Sequence, residues 1–410
     1  MSKSDRGGWG PLAVAETHDA LAAVFREEAG HLTTALIRIL GDFDVAEEIV
    51  QDALLVALER WPVEGIPERP GAWLMTVARR HAFNQLSRDA RYRAKLTQLE
   101  HPVSREPDDR LRLMFTWCHP ALSRAAQVAL TLRAVCGFTT AQIAHAFLAK
   151  DSAVAQRIVR ARRKIVAAHI PYRMPTDDEL GERLSEVLAV LYLMFTEGYL
   201  ASDSATPARR DLAEDAAWLT ALLVRLLPEE PEPLGLLALM RLHLARTQAR
   251  FTEVGELVLL SDQDRSRWDR STIAEAVTLI EQAAALGRPG PYQLQAAIVA
   301  CHAEAESWAA TDWRQIVILY DLLLQMMPSP VVRLNRAVAL RQVAGLEVAL
   351  AEVNTLAHAL DHYHLFHAIR GELLQELGER EQARASALRA LELTQNRAEQ
   401  SLLARRLLEW

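Results

Sequence analysis

The sequence lacks the features of a secreted, membrane-spanning or zinc-dependent protein. Its three cysteines, Cys118, Cys136 and Cys301, form no CxxC pair, which argues against a disulfide framework and a zinc ribbon. No run reaches the roughly 18 uncharged apolar residues of a membrane span, and the first ten residues lack the apolar core of a secretory signal. We therefore expect a cytoplasmic protein without membrane contact, cofactor or metal. Cys118 stands beside His119, which leaves a metal-ligand pair as the alternative to a buried thiol.

Strand patterns and catalytic motifs are also missing. No segment shows a strand pattern of any length, so we predict an all-α fold, and 410 residues predict two or three domains. The chain has no Gly-rich phosphate loop, HExxH pair or nucleophile elbow. Residues 261–269, SDQDRSRWD, form the densest polar cluster outside the basic segments, and we interpret them as a salt-bridged structural segment. We predict that the protein is not an enzyme. An enzyme using Asp264 or Arg265 is the alternative.

Acidic residues outnumber basic ones in the whole chain, but two segments have a net positive charge. The net charge is -7, yet residues 71–100 carry +4 and residues 111–170 carry +8, while residues 171–410 carry -11. We call residues 71–100 and 111–170 the two basic islands. Basic islands in an acidic chain predict two local contacts with a polyanion, not a protein that coats nucleic acid throughout.

The second basic island contains a helix-turn-helix pattern over residues 139–164. Thr139 with Gln142 predicts a capping box for the first helix, and Asp151 with Ser152 predicts the cap of the second. Helical spacing predicts that the second helix buries Val154, Ile158, Ala161 and Ile165. Its opposite face then carries Gln156, Arg157, Arg160, Arg163 and Lys164. Arg and Gln can read base edges while other cations neutralise phosphate, so this face favours DNA binding. A solvated basic face is the alternative.

The first basic island predicts another helix, opened by Pro70 and Gly71. Its apolar stripe is Leu74, Val77, Ala78, Ala82 and Leu86. Its other faces carry Arg79, Arg80, Asn84, Arg88 and Arg91, with Trp73, Phe83 and Tyr92 interleaved. Cations follow phosphates and rings stack on unpaired bases, so the mixture suits opened or single-stranded DNA. The alternative is that Trp73 and Phe83 belong to the core.

An acidic helix precedes this island. Residues 46–61, AEEIVQDALLVALERW, carry Glu47, Glu48 and Asp52 toward the helix N-terminus, where the helix dipole favours negative charge. Pro62 is predicted to end the helix.

Residues beyond Pro171 are predicted to be helical near 178–198, 208–227, 231–247 and 270–286, before a breaker, GRPGP, at 287–291. A weak repeat of 34 residues then pairs Ala337 with Gly371, Leu340 with Leu374, Val343 with Leu377 and Ala349 with Ala383. This period matches tetratricopeptide helical pairs, and a generic helical bundle is the alternative.

The chain resembles a known family over most of its length. Residues 17–94 resemble region two of the bacterial extracytoplasmic-function sigma factors, through DVAEEIVQDALLVALERW and RPGAWLMTVARRHAFNQLSRDAR. Residues 109–170 resemble region four, through DDRLRLMFTWCHPAL, AAQVALTLR and GFTTAQIAHAFL. The stretches IPYRMP, VLAVLYLMFTEGY, LLALMRLHLAR, LLSDQDRSRWD and GPYQLQAAI resemble the subgroup with a long tetratricopeptide-like C-terminal extension.

The resemblance implies a protein that binds core RNA polymerase and directs promoter recognition and transcription initiation. It implies region two at residues 1–94, a linker at 95–108, region four at 109–170, a helical extension at 171–290 and tetratricopeptide-like repeats at 291–410. The extension would regulate or support initiation, with a regulatory protein as a further partner. A helix-turn-helix regulator with a tetratricopeptide-like sensor domain, independent of polymerase, is the alternative.

The resemblance also implies roles for residues. The minus-35 duplex would be read by Ser152, Gln156, Arg157, Arg160, Arg163 and Lys164. The minus-10 strand would be held by Trp73, Arg79, Arg80, Asn84, Arg88 and Arg91. Core polymerase would be bound by Asp44, Glu47, Glu48, Gln51, Asp52 and Leu55. Arg80, His81 and Asn84 depart from the family pattern of the minus-10 helix, so its base preference does not carry over.

Overall fold

A computed structural model describes residues 32–86, 109–200 and 207–409, except positions 34, 38, 39, 41, 135–137, 148, 169, 171, 253, 254 and 395. The chain divides into two compact units, residues 1–190 and 191–410. All regular secondary structure in the described residues is helical apart from one isolated bridge, between Phe251 and Leu257. The all-α prediction is therefore confirmed. The domain boundaries drawn from the sequence stay predictions.

The helices of the first unit are α1 Phe43–Glu64, α2 Pro70–Leu86, α3 Asp109–Trp117, α4 Arg124–Ala134, α5 Thr140–Ala146, α6 Asp151–Ala167 and α7 Asp177–Leu200, which continues into the second unit. Those of the second unit are α8 Pro207–Leu226, α9 Pro231–Leu244, α10 Arg270–Ala285, α11 Pro291–Glu304, α12 Trp313–Met326, α13 Pro330–Ala344, α14 Leu346–Asn354, α15 Ala357–Leu360, α16 His364–Glu376, α17 Arg380–Leu393 and α18 Arg397–Glu409.

Small residues let α1 and α2 pack closely. Their buried stripes are Ala46, Ile49, Val50, Ala53, Ala57 and Trp61 on α1, with Leu74, Ala78 and Ala82 on α2. The prediction that Pro62 ends α1 is wrong, because the helix runs to Glu64. Pro62 lacks the N–H that would bond to the carbonyl four residues earlier, and only two residues of the helix follow it. The helix stops at Gly65, which has a φ of 85° and donates its N–H to the Trp61 carbonyl at 2.9 Å.

The helix-turn-helix pattern corresponds to α5 and α6. The first helix begins at Thr140, directly after Thr139, while the side chain of Gln142 lies outside the described residues. The predicted cap of α6 is wrong: Lys150 occupies the N-cap position, and no side chain caps the helix there. Asp151 stands inside the first turn, where its charge complements the helix dipole.

The second unit contains two helical hairpins in step with the 34-residue repeat. Gly345, with a φ of 94°, joins α13 to α14, and Gly378, with a φ of 86°, lies between α16 and α17. Ala349 of α14 and Ala383 of α17, which the repeat pairs, are fully buried. The tetratricopeptide assignment of these hairpins stays a prediction.

Earlier in the second unit the breaker at 287–291 separates α10 from α11 as predicted. Gly235 of α9 lies against α11, where an added Cβ would stand 2.6 Å from the Gln293 backbone nitrogen. The two helices therefore approach each other as closely as a glycine allows.

The interpretation of residues 261–269 as a salt-bridged segment needs correction. Asp264 accepts a hydrogen bond from the Ser266 amide, and Asp269 caps α10. Arg265 is buried and donates to the carbonyls of His302 and Ala305 at 2.5 and 2.6 Å. Caps and arginine-to-carbonyl bonds hold this segment, because Asp264 and Asp269 accept from backbone amides and do not pair with its arginines.

Candidate nucleic-acid interface

Helix α6 has one buried face and one exposed cationic face. The buried residues are the four that the spacing predicted, Val154, Ile158, Ala161 and Ile165. On the other side Arg157 is half-buried, while Ser152, Gln156, Arg160, Arg163 and Lys164 are exposed. The predicted stripe is therefore confirmed, and the candidate minus-35 residues share an accessible face. Whether that face reads DNA stays a prediction.

One arginine of α6 turns away from this face. Arg162 forms an ion pair with Glu47 of α1, and Arg133 of α4 binds the other oxygen of the same carboxylate. The three side chains are only 14–19% exposed. Glu47 therefore connects α1, the acidic helix, to both α4 and α6. Charge-assisted hydrogen bonds of this kind are stronger than neutral ones. Sequence reasoning placed Glu47 on a polymerase-binding surface and missed this contact, which spans more than 80 residues along the chain.

The outer side of α1 combines exposed acid with exposed apolar surface. Glu48 is exposed, and Gln51 and Asp52 are half-buried. Leu55 is 57% exposed and the neighbouring Leu58, which sequence reasoning did not single out, is 43% exposed. Large apolar side chains that remain accessible beside charges are typical of a protein-binding surface. The side chain of Asp44 lies outside the described residues.

The candidate minus-10 residues of α2 are only partly accessible. Arg80 and Asn84 are exposed, and Arg79 and Trp73 are half-buried. The Trp73 ring meets the buried Trp61 ring edge to face, with 5.3 Å between centroids. Trp73 therefore packs against a core residue while part of its side chain stays accessible, and its role in DNA binding stays a prediction. Arg88 and Arg91 lie outside the described residues.

Cys118 behaves as a buried thiol. Its sulfur lies 3.7 Å from the Thr131 hydroxyl, and burial raises the pKa of the thiol to about 12. His119 accepts the Ala121 amide proton at Nδ1, and burial lowers the pKa of its imidazole. The part of the chain that the structure describes contains no group of three or more His, Cys, Asp or Glu able to hold a metal ion.

Comparison with known proteins identifies the modules. Residues 24–92 match the Sigma-70 region 2 family, residues 113–165 match Sigma-70 region 4, and residues 183–284 match a family of unknown function, DUF6596. The ECF RNA polymerase sigma factor SigL of Mycobacterium tuberculosis is 31% identical over 150 residues, which cover 35% of this chain and 81% of SigL. The chain belongs to the extracytoplasmic-function sigma factors.

Two further relatives define how far the similarity extends. An uncharacterized protein of Rhizobium meliloti is 43% identical to this sigma factor over 379 residues, 89% of this chain and 90% of the relative. The probable ECF sigma factor SigI of Mycobacterium tuberculosis is 29% identical over 166 residues, 37% of this chain and 57% of SigI. No solved structure matches the chain.

Family membership establishes the general activity. This sigma factor binds core RNA polymerase and promoter DNA and directs transcription initiation, without enzymatic chemistry. The alternative of a regulator independent of polymerase is therefore not supported. Among the described residues, no helix is long and apolar enough to cross a membrane.

Proposed function

We propose that this sigma factor reads the minus-35 duplex with the exposed face of α6. The observation that carries the proposal is the separation of the helix into a buried apolar stripe and an accessible cationic face. The residues proposed to contact DNA are Ser152, Gln156, Arg157, Arg160, Arg163 and Lys164. Arg supplies paired donors and Gln a donor with an acceptor for base edges, and the remaining cations neutralise phosphates.

The proposal extends to the minus-10 strand and to polymerase. On α2 the exposed Arg80 and Asn84 support capture of unpaired DNA, with Trp73, Arg79, Arg88 and Arg91 completing the set. On α1 the exposed Glu48 and Leu55 support docking on core polymerase, together with Asp44, Glu47, Gln51 and Asp52. Glu47 can take part only when its bonds to Arg133 and Arg162 open.

A reconstituted run-off assay on a promoter pool with a randomised minus-35 element tests the reading face. Arg157→Ala and Arg160→Ala should each relax base preference at one or more positions, by roughly 10- to 100-fold for a lost bidentate contact. Arg225→Ala, at an exposed arginine of the second unit, controls for loss of charge alone. If neither α6 variant changes the selected sequence, this face does not read DNA.

We further propose that the C-terminal extension regulates or supports initiation. Its segment carries -11, opposite in sign to the basic islands, which is the charge relation expected of a domain that restrains DNA binding until a partner engages it. Stacked helical pairs also form surfaces that bind proteins, so a regulatory protein is a proposed partner.

Truncation tests this proposal, and the structure determines where to cut. Arg183 of α7 donates to the Phe115 carbonyl, and Glu186 pairs with Arg124 at 2.9 Å, so the part of α7 that belongs to the first unit, up to residue 190, should be kept. Removal of residues 191–410 should change transcription from a cognate promoter. An increase supports restraint and a loss supports a scaffold, whereas unchanged transcription contradicts both roles.

A further inference from the structure

Three arginines of the second unit converge on two aromatic rings. The guanidinium carbon of Arg265 lies 4.9 Å from the centre of the Trp268 ring, and that of Arg246 lies 5.8 Å from the same centre. Arg246 donates from Nη2 to the Tyr199 hydroxyl at 3.2 Å, and the guanidinium carbon of Arg250 lies 4.0 Å from the Tyr199 ring centre. We call these three arginines, with Trp268 and Tyr199, the arginine cluster.

These three arginines differ from other arginines of the second unit in their contacts with carboxylates. Other arginines of the second unit are ion-paired, as Arg241 is with Glu275 and Arg336 is with Asp321. None of the three arginines in the cluster has a carboxylate within 4.0 Å in the described part of the chain. Like charges brought together away from water are unfavourable, and so the cluster favours the uptake of negative charge.

The electrostatics of individual groups agree with this imbalance. Burial, reinforced by Arg270 and Arg246, lowers the pKa of the Arg265 guanidinium. Burial also lowers the pKa of Arg250. The acid that acts on Arg250 is Glu399, which already accepts a hydrogen bond from Thr394 at 2.6 Å. Burial and a neighbouring arginine therefore both disfavour the charged form of Arg250 and of Arg265.

The cluster also holds hydrogen-bond donors that are buried and unused. They are Nε of Arg246, Nη2 of Arg265 and Nε1 of Trp268. Arg265 is only 7% exposed and Trp268 only 3%. Buried donors without acceptors are rare in folded proteins and cost free energy, so three in one place indicate an acceptor that binds there.

A structural role explains only part of this arrangement. Arg265 and Arg270 donate to carbonyls at the C-terminal end of α11, at residues 302, 303 and 305, where cations are favourable. That role uses Nη1 of Arg265. It leaves Nη2 of the same side chain, Nε of Arg246 and the Trp268 N–H without a function.

We propose that the arginine cluster binds a small oxyanion, namely a phosphate or carboxylate group of a small molecule. An oxyanion supplies both the negative charge and the acceptors that the cluster lacks, and guanidinium groups bind such oxygens in pairs. Arg246 and His302 are half-buried, whereas Arg265 and Trp268 are buried. Residues 199–268 of the site lie within the segment that matches the family of unknown function.

The test measures thermal unfolding of the full-length chain at pH 7 in sodium phosphate, sodium acetate and sodium chloride at equal ionic strength. The transition of the second unit should shift upward by about 3 °C, saturably, in phosphate or in acetate relative to chloride. The anion with the lower half-saturating concentration identifies the preferred group. No difference between the three salts would overturn the proposal.

Two variants make the test specific. Arg246→Gln should raise the half-saturating anion concentration at least tenfold. It should not lower the unfolding midpoint in chloride, because it removes one of several charges that repel each other. Arg225→Gln, at an exposed arginine of α8, should respond as the unaltered chain does. An unchanged response of Arg246→Gln, or an equal loss in Arg225→Gln, would show that the anion acts on general surface charge, and the proposed site would be wrong.

Discussion

His302 makes the stability of the second unit depend on pH. Burial, with Arg246 and Arg265 adding to it, lowers the pKa of the imidazole to about 4, against an ordinary value of 6.5. Above pH 6.5 the side chain is neutral in both states and contributes no pH dependence. Between pH 6.5 and 4 only the unfolded chain takes up the proton, so the free energy of unfolding should fall by up to about 3 kcal/mol.

Urea unfolding of the second-unit transition at pH 7, 6 and 5 measures this fall. His302→Gln should show a shallower dependence, although His243 retains its own contribution because burial lowers its pKa also. Equal slopes for the variant and the unaltered chain would assign the pH dependence to other groups.

Some of these residue-level features could be predicted from sequence, and others could not. The four buried residues of α6 follow from spacing alone, because a helix repeats its faces every three or four positions. The bonds from Glu47 to Arg133 and Arg162 depend on how separate helices pack, which no local pattern encodes. The cap at Lys150 was missed because Asp151 and Ser152 are both good cap residues by type.

At the scale of helices, two glycines should respond in opposite directions to the same substitution. Gly235→Ala should destabilise the second unit by roughly 2 kcal/mol or more, because the new methyl group meets the backbone of Gln293 on α11. Gly181→Ala, in α7, should stabilise the first unit by about 0.5–1 kcal/mol, because nothing lies within 4 Å and alanine favours a helix. Thermal or urea unfolding of each variant checks both signs. A neutral Gly235→Ala would mean that α9 and α11 separate at little cost.

The contact of Glu47 with α6 should be measurable as a coupling energy. Glu47→Gln and Arg162→Gln should each destabilise the first unit. The first removes the carboxylate that Arg133 and Arg162 share, and the second leaves that nearly buried carboxylate with Arg133 alone. A double-mutant cycle in urea should give a coupling of about 1–3 kcal/mol. Glu59→Gln, at an exposed acid of the same helix, should be additive with Arg162→Gln. A cycle for Glu47 that is additive to within about 0.5 kcal/mol would contradict a direct bond.

At the scale of the whole molecule, composition and periodicity predicted more than any single motif did. An all-α chain with helices separated at 287–291 follows from helical spacing and from the Gly and Pro residues there. Helical hairpins at residues 330–354 and 364–393 agree with the 34-residue step. The arginine cluster could not be predicted, since its members are spread from Tyr199 to Trp268 and are joined by folding of the second unit.

The uneven charge of the whole chain predicts how promoter binding responds to salt. The basic islands are segments of net positive charge that are expected to contact DNA phosphates. Binding of the polymerase complex to the promoter should therefore weaken steeply as the salt concentration rises, because counterion release then contributes less. Arg163→Ala combined with Lys164→Ala should reduce the slope of log K against log salt by about 1.8, since each lost contact to a duplex phosphate contributes about 0.9. Filter binding or fluorescence anisotropy between 50 and 200 mM salt measures the slope.

Arg225→Ala should leave the slope unchanged because that residue lies outside both islands. A slope that stays the same in the α6 double variant would mean that Arg163 and Lys164 contact no phosphate.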